Sequence, residues 1–168
     1  MGKIAIGVVG PGATATEQDI EHAFQLGRGI AAAGWVTLTG GMASGVMDAA
    51  LRGAASVGGL TVGMVPNAHR HGTSSAIEVA ILTDLGSGRN NVMALSSHAM
   101  VACGMSLGTA SEVALALKAK RPVILLGVSA PTVQFFQQWD DGGLIVAANP
   151  AETIAAIGKI LASRDATG

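Results

Sequence analysis

Residues 104–112, Gly-Met-Ser-Leu-Gly-Thr-Ala-Ser-Glu, hold the groups best suited to gripping a small anion. The run follows an apolar strand and leads into a helix opening at Thr109. At such a junction several backbone N–H groups point outward, and the helix dipole makes the spot mildly positive. Thr109 and Glu112 also fit a capping box, in which each side chain bonds the other's backbone N–H. That box is a complete structural account of Glu112, and the spacing favours it. The sharper reading makes Glu112 a ligand-binding or catalytic carboxylate.

A second loop, Gly40-Gly41-x-x-x-Gly45, also joins a strand to a helix. It reads as a backbone cradle for phosphate, with Ser44 adding a hydroxyl, or as a tight turn that needs glycine anyway. It lacks both the GxGxxG spacing and the GK[ST] ending. Arg89-Asn90-Asn91 opens a short helix. Arg89 could clamp a phosphate with its fork of donors, and Asn91 could bond a heterocycle edge; the alternative is a solvated turn. Cys103 reads as a buried, inert thiol rather than a soft-metal ligand. His69 and His71 flank Arg70 with no third metal ligand beside them, so their loop reads as solvated or substrate-covering. His22 and His98 read as surface or helix-end residues. No GxSxG, HExxH or HxE with PCxxC occurs, so common hydrolase, protease and deaminase arrangements are absent, and no protein metal site is expected.

These loops need a scaffold, and the pattern supplies one. Apolar runs at 4–9, 35–39, 60–65, 76–82, 99–103, 123–126 and 144–147 read as strands, apolar on both faces as in parallel sheets. Helices are expected from a Thr14–Glu17 capping box to about Ala33, at 46–56, 89–96, 109–120 and 132–139, and from an Asn149 cap with Pro150 at the first position to about Ala162. Residues 164–168 read as a frayed tail. The expected fold is α/β: a single Rossmann-like doubly wound domain over 1–163, with a mostly parallel sheet of about seven strands flanked by helices. Ligands of such sheets bind beyond the carboxyl ends of the strands. The loops after the first, second and fifth strands lie on that edge.

Composition narrows the classes. Of 168 residues, 49% are hydrophobic and 12% charged, against a usual charged share of about 25%. No apolar run reaches the roughly 18 residues that span a bilayer. Surplus apolar surface goes into subunit contacts, so a homo-oligomer, dimer or tetramer, is expected. A net charge of −1 and 3% aromatics argue against nucleic-acid partners. One cysteine and no charged-then-apolar leader point to a cytoplasmic protein away from membranes.

Taken together the loops have a likeness. Thr39-Gly-Gly-Met-Ala-Ser-Gly-Val-Met47, with Arg52-Gly-Ala54 and Gly58-Gly59 after it, resembles the family of the Lonely Guy phosphoribohydrolases and proteins labelled "possible lysine decarboxylase". Their hallmark is a PGGxGTxxE loop. Gly108, Thr109, Glu112 and Arg89 match it, while Met105 and Ser106 replace the glycine pair and Gly104 replaces the proline. That departure is similar to one branch, the molybdenum cofactor carrier proteins of algae and cyanobacteria. The strings Ile6-Gly-Val-Val-Gly-Pro-Gly12, Gly34-Trp-Val-Thr-Leu-Thr-Gly-Gly41, Leu85-Gly-Ser-Gly-Arg-Asn-Asn91, Ala94-Leu-Ser-Ser97 and the run 108–127 carry the resemblance, which covers essentially the whole chain.

The resemblance implies an oligomeric, non-catalytic carrier that binds and protects the molybdenum cofactor (Mo-molybdopterin) as cargo and delivers it to molybdoenzymes. A cargo whose dithiolene already holds the metal needs no protein metal ligands. The implied site comprises Gly10 and Gly12; Gly40, Gly41, Ser44, Gly45, Val46 and Met47; Arg89, Asn90 and Asn91; and Met105, Ser106, Leu107, Gly108, Thr109 and Glu112. One glycine loop would take the phosphate and the other the metal end, in either order. Asn90, Asn91, Ser106 and Thr109 offer neutral donors, and Met42, Met47 and Met105 would shield the dithiolene. The alternative is an enzyme hydrolysing nucleoside 5′-monophosphates at the N-glycosidic bond, with Arg89 on the phosphate and Glu112 as the catalytic carboxylate. The Met105 and Ser106 side chains would narrow the approach of its sugar.

Overall fold

The computed structural model describes residues 2–165, with side chains placed as far as Ser163. Seven parallel strands form one sheet in the order β4-β3-β2-β1-β5-β6-β7. In chain order the elements are β1 (Ala5–Val9), α1 (Glu17–Ala32), β2 (Val36–Thr39), α2 (Gly45–Ala55), β3 (Thr61–Val65), β4 (Val79–Leu82), α3 (Arg89–Ser96), β5 (Ala99–Cys103), α4 (Leu107–Lys118), β6 (Val123–Leu126), α5 (Ala130–Gln137), β7 (Leu144–Ala147) and α6 (Pro150–Asp165). A single 3-10 turn, Gly86–Gly88, leads into α3. The α/β doubly wound architecture is the one the alternating pattern dictates.

Side-chain alternation along each strand builds two cores. Ala99, Val101 and Cys103 of β5 join Ala23, Leu26 and Ile30 of α1, Ala49 and Ala50 of α2, and Ile157 of α6. Met100 and Ala102 face the other way, toward Met93 of α3, Val113 and Ala116 of α4, and Phe136 of α5. With both faces covered, every residue of β5 is buried, which is why the strand reads as a continuous apolar run. Helices α1 and α2 approach closely because each offers a glycine. A Cβ on Gly27 would overlap the Ala50 carbonyl, and one on Gly53 the Phe24 carbonyl.

From β1 the chain winds outward through β2 and β3 to β4, then crosses back through α3 to β5 and winds the opposite way to β7. Strand order therefore reverses between β1 and β5, which pair directly. The carboxyl ends at such a reversal diverge and leave a crevice.

Several boundaries differ from the expected ones. The first helix is capped two residues later than Thr14. Thr16 Oγ1 accepts from the Asp19 N–H at 3.1 Å, and Asp19 Oδ2 accepts from the Thr16 N–H at 2.9 Å. Helix α4 opens at Leu107, with Ser106 as its cap. Strand β4 begins at Val79 rather than at residue 76 because the preceding turn is tied to β3. Thr61 Oγ1 donates to the Ala76 carbonyl and accepts from the Glu78 N–H, while Ile77 packs over Gly63. Helix α5 starts at Ala130, before the expected residue 132. The Asn149 cap stands as expected, with Asn149 Oδ1 accepting from the Glu152 N–H at 2.9 Å. Helix α6 runs on to Asp165, past the expected end near Ala162. Of the tail expected over 164–168, residues 166–168 lie outside the described residues.

Candidate functional site

A cleft of about 360 Å³ opens beyond the carboxyl ends of β1, β2 and β5, within the range of small-molecule sites, roughly 300–1,000 Å³. Val8, Val9 and Gly10 bring β1 and its turn to it, with Gly12 beyond. Gly40 comes from the loop after β2, and Met47 from the first turn of α2. Ser106, Gly108 and Thr109 line it from the start of α4, and Arg89, Asn90 and Glu112 from α3 and α4.

The end of α4 is built for a donor role. Ser106 Oγ accepts from the Thr109 N–H at 3.2 Å and shares a hydrogen bond with Thr109 Oγ1 at 2.9 Å. The Ala110 N–H donates to the Ser106 carbonyl. Leu107 and Gly108, at the first two helical positions, have no acceptor within the helix for their N–H groups. The helix dipole adds partial positive charge there.

Glu112 takes no part in this cap, contrary to the capping box its spacing favoured. Ser106 fills the cap position instead, and Glu112 sits a turn further on with its side chain 10% exposed in the cleft. Its Oε1 lies 3.9 Å from Arg89 Nη1, too far for a good hydrogen bond. Burial pushes the carboxyl up to about 7, and the Arg89 guanidinium opposes this only in part. Burial likewise pulls Arg89 below its ordinary value, with Glu112 working against it. Both partners agree that desolvation outweighs their attraction.

Arg89 is held in place by its surroundings. A Cβ on Gly40 would stand 2.6 Å from Arg89 Nη2 and 2.8 Å from Met47 Sδ, so only glycine lets the guanidinium lie there. Nη1 donates weakly to Met93 Sδ at 3.4 Å. The buried Nε has no hydrogen-bond partner. A charged, buried donor left unsatisfied is costly unless something else accepts from it. Near it, Asn90 is 8% exposed and donates to Ser111 Oγ at 2.9 Å.

The second glycine loop is less open than its composition suggests. The Gly41 N–H donates to Thr39 Oγ1. Those of Ala43, Ser44 and Val46 donate to the carbonyls of Gly72, Met42 and Pro11. Ser44 makes no side-chain cap bond. This loop is chiefly a tight turn whose gift to the cleft is the bare Cα of Gly40.

The sequence profile of the SLOG cluster4 family (LDcluster4) matches residues 3–154. The chain belongs to the SLOG cluster4 family. An uncharacterised protein of Archaeoglobus fulgidus is 37% identical over 130 residues, covering 73% of this chain and 84% of that one. Among solved structures, the molybdenum cofactor binding protein of the phototrophic bacterium Rippkaea orientalis is 46% identical. It has a TM-score of 0.94, over 96% of this chain and 99% of that one. The molybdenum cofactor carrier protein of Chlamydomonas reinhardtii is 47% identical, with a TM-score of 0.90 over 95% and 99%.

In this SLOG cluster4 chain the cleft gathers many of the residues singled out from the sequence, but not all. Gly41, Ser44, Gly45 and Val46 are not among its lining residues, and Val46 is wholly buried between α2 and the sheet. Asn91 is exposed on α3 outside the cleft. Met105, partly buried, packs against the core under α4, so only Ser106 of that pair narrows the cleft. Leu107, 93% exposed, points into solvent. Of the three methionines, Met47 alone reaches the lining, whereas Met42 bridges to Thr73. Pro66, Gly86 and Ser87 line the cleft without having been singled out. The Gly86–Gly88 turn before Arg89 was the available signal for the last two. Cys103 is a buried thiol whose Sγ donates to the Asp19 carbonyl at 3.3 Å. Burial, with the Asp19 carboxylate beside it, pushes this thiol up to about 12. His69, Arg70 and His71 are exposed on a loop that docks on the second glycine loop through Gly72 and Ser74. Among the described residues no helix is long and apolar enough to cross a membrane.

Proposed function

We propose that this protein holds the molybdenum cofactor as cargo in the cleft and passes it to molybdoenzymes without turning it over. The observation that carries the reading is the likeness, at 46% and 47% identity and over nearly the whole of each chain, to two proteins described as binding or carrying that cofactor. The cleft's chemistry supports it. A pyranopterin phosphate needs an anion grip and neutral donors, and its dithiolene brings the metal. In this reading the phosphate lies toward the Leu107 and Gly108 N–H groups and Arg89. The metal end lies toward Gly10, Gly12, Gly40 and Met47. Purified, cofactor-loaded protein, denatured and oxidised, should release a fluorescent pterin in roughly one-to-one ratio with chain. Protein exposed to cofactor that yields none would end the carrier reading.

A second reading rests on one feature, the Arg89 and Glu112 pair in a single cleft at 3.9 Å. That pair could serve N-glycosidic hydrolysis of a nucleoside 5′-monophosphate, with Arg89 on phosphate and Glu112 facing the ribose. Incubation with AMP separates the two: efficient release of adenine favours the enzyme. We further propose that the carrier works in the cytoplasm and assembles with copies of itself. Exposed apolar side chains such as Val79, Ile81, Leu82 and Trp139 support the assembly. Sedimentation should give a small integer multiple of the chain mass, and a purely monomeric boundary would remove that part.

A further inference from the structure

Arg89 and Glu112 are the titratable side chains that line the cleft among the described residues. Their charges cancel when Glu112 is ionised, so a guest anion then meets no net cation. It also meets a carboxylate 10% exposed, in a place where water screens poorly. With Glu112 neutral, the same cleft carries one positive charge, and the carboxyl gains an O–H donor. We propose that Glu112 receives the anionic end of the cargo as the neutral acid, so that loading takes a proton onto Glu112 and unloading gives it back. This rests on the reading of the cleft as the anion site. The proton comes from solvent, one O–H bond forms on the carboxylate, and no other bond changes.

The surroundings leave Glu112 as the group that answers to pH. From α3 it is faced by Arg89, which stays charged, and by the neutral Asn90. From the loop after β2 and from α2 come Gly40 and Met47. Asp48 of α2 is turned away, bonded to Ser74 Oγ and Arg52. From β1 come Val8, Val9 and Gly10. On α4 itself the neighbours are the hydroxyls of Ser106 and Thr109, and Lys118 lies at the far end of the helix. Cys103 of β5 faces α1 across the sheet. The histidines of the 66–75 loop do not line the cleft. The upward displacement of the Glu112 carboxyl by burial agrees with this geometry.

Sulfate is the probe, because it stays a dianion across the neutral range and any proton taken up must go to the protein. Calorimetry in two buffers of different ionisation heat should show uptake of about half a proton per sulfate at about pH 7, rising toward one by about pH 8. Affinity should fall about tenfold from about pH 6 to about pH 8. In Glu112→Gln both effects should vanish, with affinity staying near the low-pH value. Sulfate bound with no proton uptake, or with a pH dependence that persists in Glu112→Gln, overturns the proton linkage while the cleft remains the anion site. The wild-type measurement decides even if the variant folds poorly. If neither sulfate nor inorganic phosphate binds, and loaded protein yields no pterin, the site reading itself falls and takes the linkage with it.

Discussion

A carboxyl 10% exposed, with one guanidinium at 3.9 Å, loses more by leaving water than that partner returns. For Glu112 the consequence is a stability that depends on pH. Its folded value of about 7 lies above the ordinary 4.5. Below 4.5 the carboxyl is neutral in both states and nothing is lost. Between 4.5 and about 7 the unfolded chain releases its proton while the folded one keeps it, so stability falls as pH rises and levels off above about 7. The whole effect is on the order of 3 kcal/mol. Thermal melts of ligand-free wild type and Glu112→Gln should diverge across that window, the wild type losing ground toward higher pH; parallel curves would contradict it. Gly40 has the complementary role. In Gly40→Ala the methyl would meet the far end of Arg89, which can swing aside, so the fold should survive with little change in melting temperature. The displaced guanidinium should weaken sulfate binding roughly tenfold. A variant that melts normally and binds sulfate as wild type does would detach Arg89 from the anion site.

At the scale of elements, α1 and α4 begin where a hydroxyl can cap them. For α1 the box expected between Thr14 and Glu17 gives way to one between Thr16 and Asp19. Asp19 is 8% exposed and its carboxylate packs against Gly104 at the end of β5, a contact no local pattern reveals. Thr16→Ala should cost about 1 kcal/mol in urea denaturation and Thr14→Ala close to nothing; equal losses would refute this capping. At α4 the same competition frees Glu112, because Ser106 takes the cap and starts the helix two residues early. Gly45, with φ +50, sits where any side chain would overlap the Pro11 and Gly12 carbonyls. Substitution there disturbs the fold and does not report on binding.

Over the whole molecule, the central strands β1 and β5 are sealed between two helical layers, and Cys103 records how completely. It is 0% exposed, and its thiol is raised to about 12, so the reactive thiolate is scarce at neutral pH. Labelling by an aromatic disulfide reagent at about pH 8 should wait on global unfolding and accelerate in step with added urea. Fast stoichiometric labelling of native protein would show that the sheet opens locally.

The alternation of apolar runs with capped helical stretches was enough to give the parallel α/β class, because strands buried on both faces must read as continuous apolar segments. β5, β6, β7 and α3 begin and end where the sequence places them. Arg89, Ser106, Gly108, Thr109 and Gly40, placed by the sequence at strand-to-helix junctions, do line one cleft, because junctions after parallel strands gather on one edge of the sheet. Only the tertiary structure decided that Glu112 faces Arg89, that Met105 turns to the core, and that the amides of the second loop are spent on Thr39, Gly72 and Pro11. Each of those outcomes depends on partners distant in sequence, and a carboxylate, a thioether or an N–H looks the same locally whichever partner the fold brings to it.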